Sequence, residues 1–248
     1  MGILSSNLIT CIIIQMVSFT NSHAKNIKII AHRGASNIFP ENTIKAFQKA
    51  KDLKTDFIEL DVHLSSSKIP IVVHDLEFVE QYSSEVTVSE KMSNILKGEK
   101  IPTLLEVLLA FLDVDFMIEI KHGSASDFDL AFETLKVIEK AKHKKIKIGS
   151  FSPLILHEVY KINPSIGLIG IICDKNINFL KDFIKLKVEI IAAKESIINL
   201  DFIKLMQQLN KKIWVWTVDD KKTIKKLTSY NIDGLITNDV ALAKSVLN

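Results

Sequence analysis

The chemistry in this chain gathers around two histidines, one arginine and three carboxylates. His32 and Arg33 lie in Ile29-Ile30-Ala31-His32-Arg33-Gly34-Ala35, with Pro40-Glu41-Asn42-Thr43 just beyond. Ile27, Ile29 and Ile30 read as a short buried strand. Gly34 ends it, and Asn42 or Thr43 caps a helix carrying Ile44, Ala46, Phe47 and Ala50 on one side. His32 and Arg33 therefore fall where a strand gives way to a loop, which in α/β folds is where ligands are met. Arg33 is the only arginine in a lysine-rich chain. Its guanidinium fork grips a phosphate or carboxylate bidentately, which a lysine cannot copy.

The carboxylates follow. In Phe57-Ile58-Glu59-Leu60-Asp61-Val62-His63-Leu64, the apolar residues Ile58, Leu60, Val62 and Leu64 alternate with Glu59, Asp61 and His63. One face packs against helices and the other carries acids, which suits a barrel strand whose inner face leads to the mouth. Phe116-Met117-Ile118-Glu119-Ile120-Lys121 repeats the pattern, with Met117, Glu119 and Lys121 sharing a face. Three converging carboxylates, Glu59, Asp61 and Glu119, repel one another unless a cation lies between them. Oxygen donors without a thiolate suit Ca²⁺ or Mg²⁺ better than Zn²⁺. The alternative is that each acid pairs with a lysine.

His74 enters through loop length. Only Ser65-Ser66-Ser67-Lys68 separates the strand ending at Leu64 from Ile69-Pro70-Ile71-Val72-Val73-His74-Asp75. A parallel crossover needs about a dozen residues, so the second run returns antiparallel and carries His74 toward Glu59 and Asp61. His32 and His74 are then a general acid/base pair, and Arg33 and Lys121 hold an anionic substrate. A cation, two imidazoles and two fixed positive charges describe phosphoryl chemistry better than acyl transfer; no nucleophile elbow or phosphate-loop motif is present. His63 lines the mouth, His122 meets substrate or solvent, and His143 and His157 read as surface residues in helical contexts. Trp216 is either barrel core or a wall against the alcohol part of a substrate.

The elements that must position these groups alternate strand and helix. Beyond the hairpin the pattern predicts a helix at 101–109, then strands at 147–151, 167–173, 188–193, 212–218 and 234–237 with helices between. Without the hairpin leg the strands number about eight, which predicts an α/β fold of the (β/α)8 TIM-barrel class. Residues 76–100 lack periodicity and read as a small insertion after the second strand. At 248 residues the chain suits one barrel domain, and a net charge of +3 spread over solvated lysines, without interleaved aromatics, argues against nucleic-acid binding. Residues 8–19 are almost all apolar and Ser22-His23-Ala24 follows, so 1–24 reads as a signal peptide, though no Lys or Arg precedes the apolar run. The expected location is periplasmic or secreted; the alternatives are an uncleaved membrane anchor or a cytoplasmic protein. Removal of that segment leaves Cys173 without a disulfide partner, and its apolar surroundings predict a buried thiol.

These motifs, joined by Ile101-Pro102-Thr103-Leu104, Ser150-Phe151, Trp216-Thr217-Val218 and Asp233-Gly234-Leu235-Ile236-Thr237-Asn238-Asp239, resemble the glycerophosphodiester phosphodiesterase family, in order from Ile27 to the C-terminus. The resemblance implies a TIM barrel over 25–248 and a phosphoric diester hydrolase of lipid and glycerol metabolism. Such an enzyme splits small-molecule glycerophosphodiesters into sn-glycerol 3-phosphate and an alcohol, with no stable protein partner. It makes His32 and His74 the catalytic pair, Glu59, Asp61 and Glu119 the metal ligands, Arg33 and Lys121 phosphate contacts, and Glu41 a supporting carboxylate. It also implies that the substrate's own glycerol hydroxyl attacks phosphorus, giving a cyclic phosphate that water opens. The chain departs from the family at Ser65-Ser66-Ser67-Lys68, where a Thr and an Asp-Gly turn are usual, and at 78–84, where an Arg-Thr pair is missing. The rival readings are a lysophospholipase D-type activity on lysophospholipids and a non-catalytic barrel that binds phosphodiesters.

Overall fold

The computed structural model describes residues 26–76, 79, 98–122, 127–174 and 177–247. The expected signal segment and most of the expected insertion lie outside the described residues. Nine strands make one sheet: β1 (Lys28–Ala31), β2 (Phe57–Leu64), β3 (Pro70–Val72), β4 (Phe116–Ile120), β5 (Ile146–Ser150), β6 (Gly167–Ile172), β7 (Ile190–Lys194), β8 (Lys212–Trp216) and β9 (Gly234–Thr237). All but β3 run parallel to their neighbours, and β1 pairs with both β9 and β2, so eight strands close into a barrel. The helices between them are α1 (Ile44–Asp52), α2 (Leu104–Ala110), α3 (Asp127–Ala141), α4 (Pro153–Ile162), α5 (Ile177–Lys185), α6 (Leu200–Gln208), α7 (Lys221–Thr228) and α8 (Val240–Leu247). This is the (β/α)8 architecture that the alternation predicts.

The outward faces of the strands, such as Ile58, Leu60, Val62, Ile118 and Ile120, are buried under the helices. A separate apolar cluster of Ile30, Met117, Ile169, Ile171, Ile190, Ala192, Trp214 and Ile236 fills the barrel interior. Gly234 makes room for the large ring there, because a Cβ at that position would stand 2.5 Å from Trp214 Cδ1. This packed layer separates the carboxyl ends of the strands from the opposite end of the barrel, where Lys147 pairs with Glu189 at 3.3 Å.

Local signals fix the loops at that end. Thr43 caps α1, its Oγ1 accepting from the Ala46 N–H at 3.2 Å. Phe47 of α1 packs edge-on against Phe111 and Phe116, at 6.3 and 6.4 Å between centroids, which ties the loop after β1 to the core. Gly34 in that loop adopts φ +85°, and a Cβ would lie 2.7 Å from the backbone carbon of Ala46, so glycine is required on both counts. β3 runs antiparallel to β2, with Val62 opposite Val72 and Leu64 opposite Pro70, as the short loop demands. Thr103 and Glu106 form a reciprocal capping box at the start of α2.

Two expectations are corrected. Cys173 is exposed, because β6 ends at Ile172 and the thiol falls in the bend beyond it. His143 is buried: it lies past the end of α3, packs edge-on against Phe116, and its Nε2–H donates to the Phe111 carbonyl at 3.1 Å. Among the described residues no helix is long and apolar enough to cross a membrane.

Candidate active site

β2 and β4 lie side by side with Asp61 opposite Glu119 and Glu59 opposite Met117, so their inward side chains reach the mouth at neighbouring heights. The result is a buried triad: one oxygen each from Glu59, Asp61 and Glu119 lie within 4.8 Å of one another. Around it a cavity of about 160 Å³ is lined by His32, Arg33, His74, Lys121, Phe151 and Trp216, among others. Residues from five strand ends and the hairpin thus meet at one opening.

Each acid has a different environment. Asp61 is wholly buried, which works against its charge, but Lys121, Arg33 and His74 surround it and bring its carboxyl down to about 2. Asp61 accepts from Asn42 Nδ2 at 2.9 Å and stands 3.1 Å from Arg33 Nε. Lys121 Nζ is 2.7 Å from Glu119 Oε1 and 3.3 Å from Asp61 Oδ1. Glu59 makes no side-chain ion pair among the described residues; its Oε2 accepts only the Arg33 backbone N–H, at 2.8 Å. Burial, then the nearby charges of Asp61 and Glu119, push the Glu59 carboxyl well above the usual range. Burial and Asp61 push Glu119 up as well. Three carboxylates at this separation, one of them without an ion-pair partner among the described residues, are short of positive charge, and their oxygen donors fit a hard divalent cation. The alternative pairing with lysines holds only in part, through Lys121.

The histidines differ in their supports. His32 follows β1, its backbone N–H donating to the Thr237 carbonyl at 2.9 Å. Its ring is held by Asn238 Oδ1, 2.7 Å from Nδ1, while burial and then Arg33 lower its affinity for a second proton. His74 stands at the end of the hairpin with Nδ1 2.7 Å from Asp75 Oδ1. His63, expected to line the mouth, instead is buried and gives Nε2–H to the His74 carbonyl at 2.9 Å, pinning the returning leg. Glu41 grips Arg33 Nη1 with both oxygens at 2.9 Å, so it supports the arginine rather than the triad. Trp216 is half-buried, donates Nε1–H to the Ala192 carbonyl at 3.0 Å and meets Phe151 edge-on; it is a wall of the site, and Trp214 is the core residue. His122 sets its ring edge-on to Phe151, whereas His157 is exposed on α4.

Three polar residues went unassigned in the sequence. Asn42, read as one of two possible caps, is a buried clamp that bonds both the side chain and the backbone N–H of Asp61. Asn238 and Asp219 stand behind His32. The one available signal was that Asn42 and Asn238 fall inside the quoted motifs.

The glycerophosphoryl diester phosphodiesterase family model matches residues 32–242. A glycerophosphodiester phosphodiesterase of Caldanaerobacter subterraneus is 30% identical over 238 residues, spanning 85% of this chain and 93% of that protein. Among solved structures, a Thermotoga maritima glycerophosphodiester phosphodiesterase is 25% identical with a TM-score of 0.72, covering 90% of this chain and 100% of the other. An Oleispira antarctica phosphodiesterase, solved with its product sn-glycerol-3-phosphate, is similar in fold at a TM-score of 0.75 and 20% identity, over 89% of this chain and 96% of that one.

Proposed function

Since this chain belongs to the glycerophosphoryl diester phosphodiesterase family, we propose that it hydrolyses glycerophosphodiesters to sn-glycerol 3-phosphate and an alcohol. The observation that carries this reading is the buried triad of Glu59, Asp61 and Glu119, of which Glu59 and Glu119 line the same cavity as His32, His74, Arg33 and Lys121. The triad would hold Ca²⁺ or Mg²⁺, which when bound neutralises charge on the phosphoryl oxygens and on the attacking oxygen. Arg33 and Lys121 seat the phosphate. Glu41 already takes Nη1 of Arg33 and Asp61 lies beside Nε, which leaves Nη2 for a substrate oxygen.

The two imidazoles move the protons. His32 takes the proton of the glycerol hydroxyl as its oxygen bonds to phosphorus, and His74 gives a proton to the departing alcohol oxygen as the P–O bond breaks. His74 then takes a proton from water, whose oxygen attacks the cyclic phosphate, and His32 returns its proton to the glycerol oxygen. The cycle consumes one water and leaves both histidines as they began, so no serine or cysteine nucleophile is required. Asp75 holds the His74 ring through Nδ1 and leaves Nε2 for the departing oxygen, while the neutral amide beside His32 leaves that ring suited to accept.

A second reading has an observation of its own. A cavity of about 980 Å³ shares the Phe151 wall with the site and runs along Pro153, Leu154 and Leu186, with Leu154 67% exposed. An acyl chain would fit such a trough, so lysophospholipids are the alternative substrates. Turnover of glycerophosphocholine against lysophosphatidylcholine, each with and without a chelator, decides between them. Chelator-sensitive release of glycerol 3-phosphate from the first supports the main reading; turnover of lysophosphatidylcholine alone transfers the activity to the second, and turnover of neither removes both.

We further propose a periplasmic or secreted location, from the apolar run at 8–19 and Ser22-His23-Ala24. The mass of the mature protein is then that of a chain beginning at Lys25; an intact N-terminus would exclude cleavage.

A further inference from the structure

The groups behind His32 form a chain of hydrogen bonds with a single consistent proton arrangement. Asp219, in the loop after β8, accepts from three donors at the carboxyl end of β9: Thr237 Oγ1 at 2.9 Å, the Asn238 backbone N–H at 2.7 Å and Asn238 Nδ2 at 2.6 Å. A carboxylate only accepts, so it fixes the Asn238 amide with its NH₂ toward Asp219. The amide oxygen is thereby turned to His32, 2.7 Å from Nδ1, and Ser36 Oγ stands 2.8 Å from the same oxygen. An amide oxygen only accepts as well, so the proton of the neutral ring must be on Nδ1, and the lone pair is on Nε2. Turning the amide over would set its oxygen against the Asp219 carboxylate, losing that bond and the acceptor for Ser36 Oγ, and its NH₂ could then pair with Nδ1 only in the opposite tautomer.

We propose that Asp219 and Asn238 are positioning residues that hold His32 in the Nδ1–H tautomer, so that Nε2 is ready to take the proton of the attacking hydroxyl. The proposal deepens the assignment of His32 above and rests on it. Three neighbouring barrel loops are joined by it, since β9 lies between β8 and β1. It also explains why an amide and not an acid touches this ring. A carboxylate in direct contact would favour a ring that keeps its second proton. The charged groups acting on the His32 ring are Arg33, Asp61 and Glu41, with Asp219 one bond further behind.

The test uses the full chain with saturating Mg²⁺ and glycerophosphocholine. The ¹⁵N NMR signals of His32 in the parent protein should show Nε2 as the unprotonated nitrogen at neutral pH; a protonated Nε2 in the neutral ring overturns the proposal, and this readout needs no variant to fold. Asn238→Ala should lower kcat about 10²-fold with KM little changed, because the ring loses its orientation. The exchange Asp219→Asn with Asn238→Asp keeps the hydrogen bonds but sets a carboxylate on the ring. It should recover much of the Asn238→Ala loss at high pH while moving the acid limb of kcat/KM upward by about one unit. Parental kcat in Asn238→Ala, or an unmoved acid limb in the exchange, sinks the relay. A parent that turns over no phosphodiester, with the NMR tautomer as expected, instead sinks the assigned activity.

Discussion

Turnover of glycerophosphocholine should fall about 10²–10⁴-fold in His32→Ala and by a similar factor in His74→Ala, with the fold intact in both. The two rings have different duties but serve the same bond changes, so the double variant should lose little beyond the worse single one. KM should move less than kcat, because Arg33 and Lys121 seat the phosphate and neither depends on an imidazole for its place: Arg33 is held by Glu41 and Asp61, and Lys121 by Glu119 and Asp61. His74 loses only its bond to Asp75 when truncated, and its side chain is 32% exposed, so the melting temperature should stay close to the parent's. His63→Ala is the informative contrast. It removes the bond to the His74 carbonyl and leaves a buried hole, so it should cost stability as well as activity. Steady-state kinetics and thermal melts of the three variants check this, and full activity in either of the first two removes that histidine from the acid/base pair.

Glu59, Asp61, His74 and Arg33 were readable in the sequence because each has a local signature. Strict alternation put Glu59 and Asp61 on the face opposite Leu60 and Val62. A four-residue connection excluded a parallel crossover and so returned His74. A lone arginine at a strand end marked Arg33. Asn42, Asn238 and Asp219 have no such signature. An amide does not titrate and fits any polar loop, and its partner here lies far along the chain: 19 residues separate Asn42 from Asp61, and 206 separate His32 from Asn238. Only closure of the barrel, which sets β9 beside β1, makes the second pair neighbours. The errors at Cys173 and His143 have a different origin. Each lies within two residues of an element's end, where the last residue in the ladder or helix decides between core and solvent. Trp214 and Trp216 share a strand face, and only their height along it, at the packed interior or at the mouth, separates core from wall.

Glu59→Gln should raise the melting temperature of the chelated protein while abolishing its response to Ca²⁺ and Mg²⁺. The folded state without a cation holds a proton on Glu59 that the unfolded chain releases at the ordinary glutamate value, because burial and the charges of Asp61 and Glu119 resist ionisation. Below the ordinary value both states are protonated and the group costs nothing; as pH rises above it, stability is lost until the raised folded value is passed. Glutamine keeps an oxygen for the Arg33 N–H and cannot ionise, so the gap between variant and parent should open above about pH 4.5 and widen toward neutrality. Asp61 works with the opposite sign. Lys121 and Arg33 hold it near 2, so the stability it lends is present above its ordinary value and is lost only as pH falls toward 2. His32 and His63, both lowered first by burial, cost stability at low pH, and that cost disappears as pH rises from their lowered folded values to the ordinary histidine value. These three contributions are common to both proteins, so the difference between the two melting curves isolates Glu59. A saturating cation at about 100 times its Kd adds about 2.7 kcal/mol to the parent, which for a chain of this size is roughly 5–11 °C. The variant, with one charged ligand fewer, should gain far less and should show no turnover. Melts across pH 4–8 with chelator and with each cation measure all of this. A parent indifferent to both cations, or a variant that melts no higher than the parent in chelator, would mean that Lys121 and Arg33 already balance the triad and that no metal is needed there.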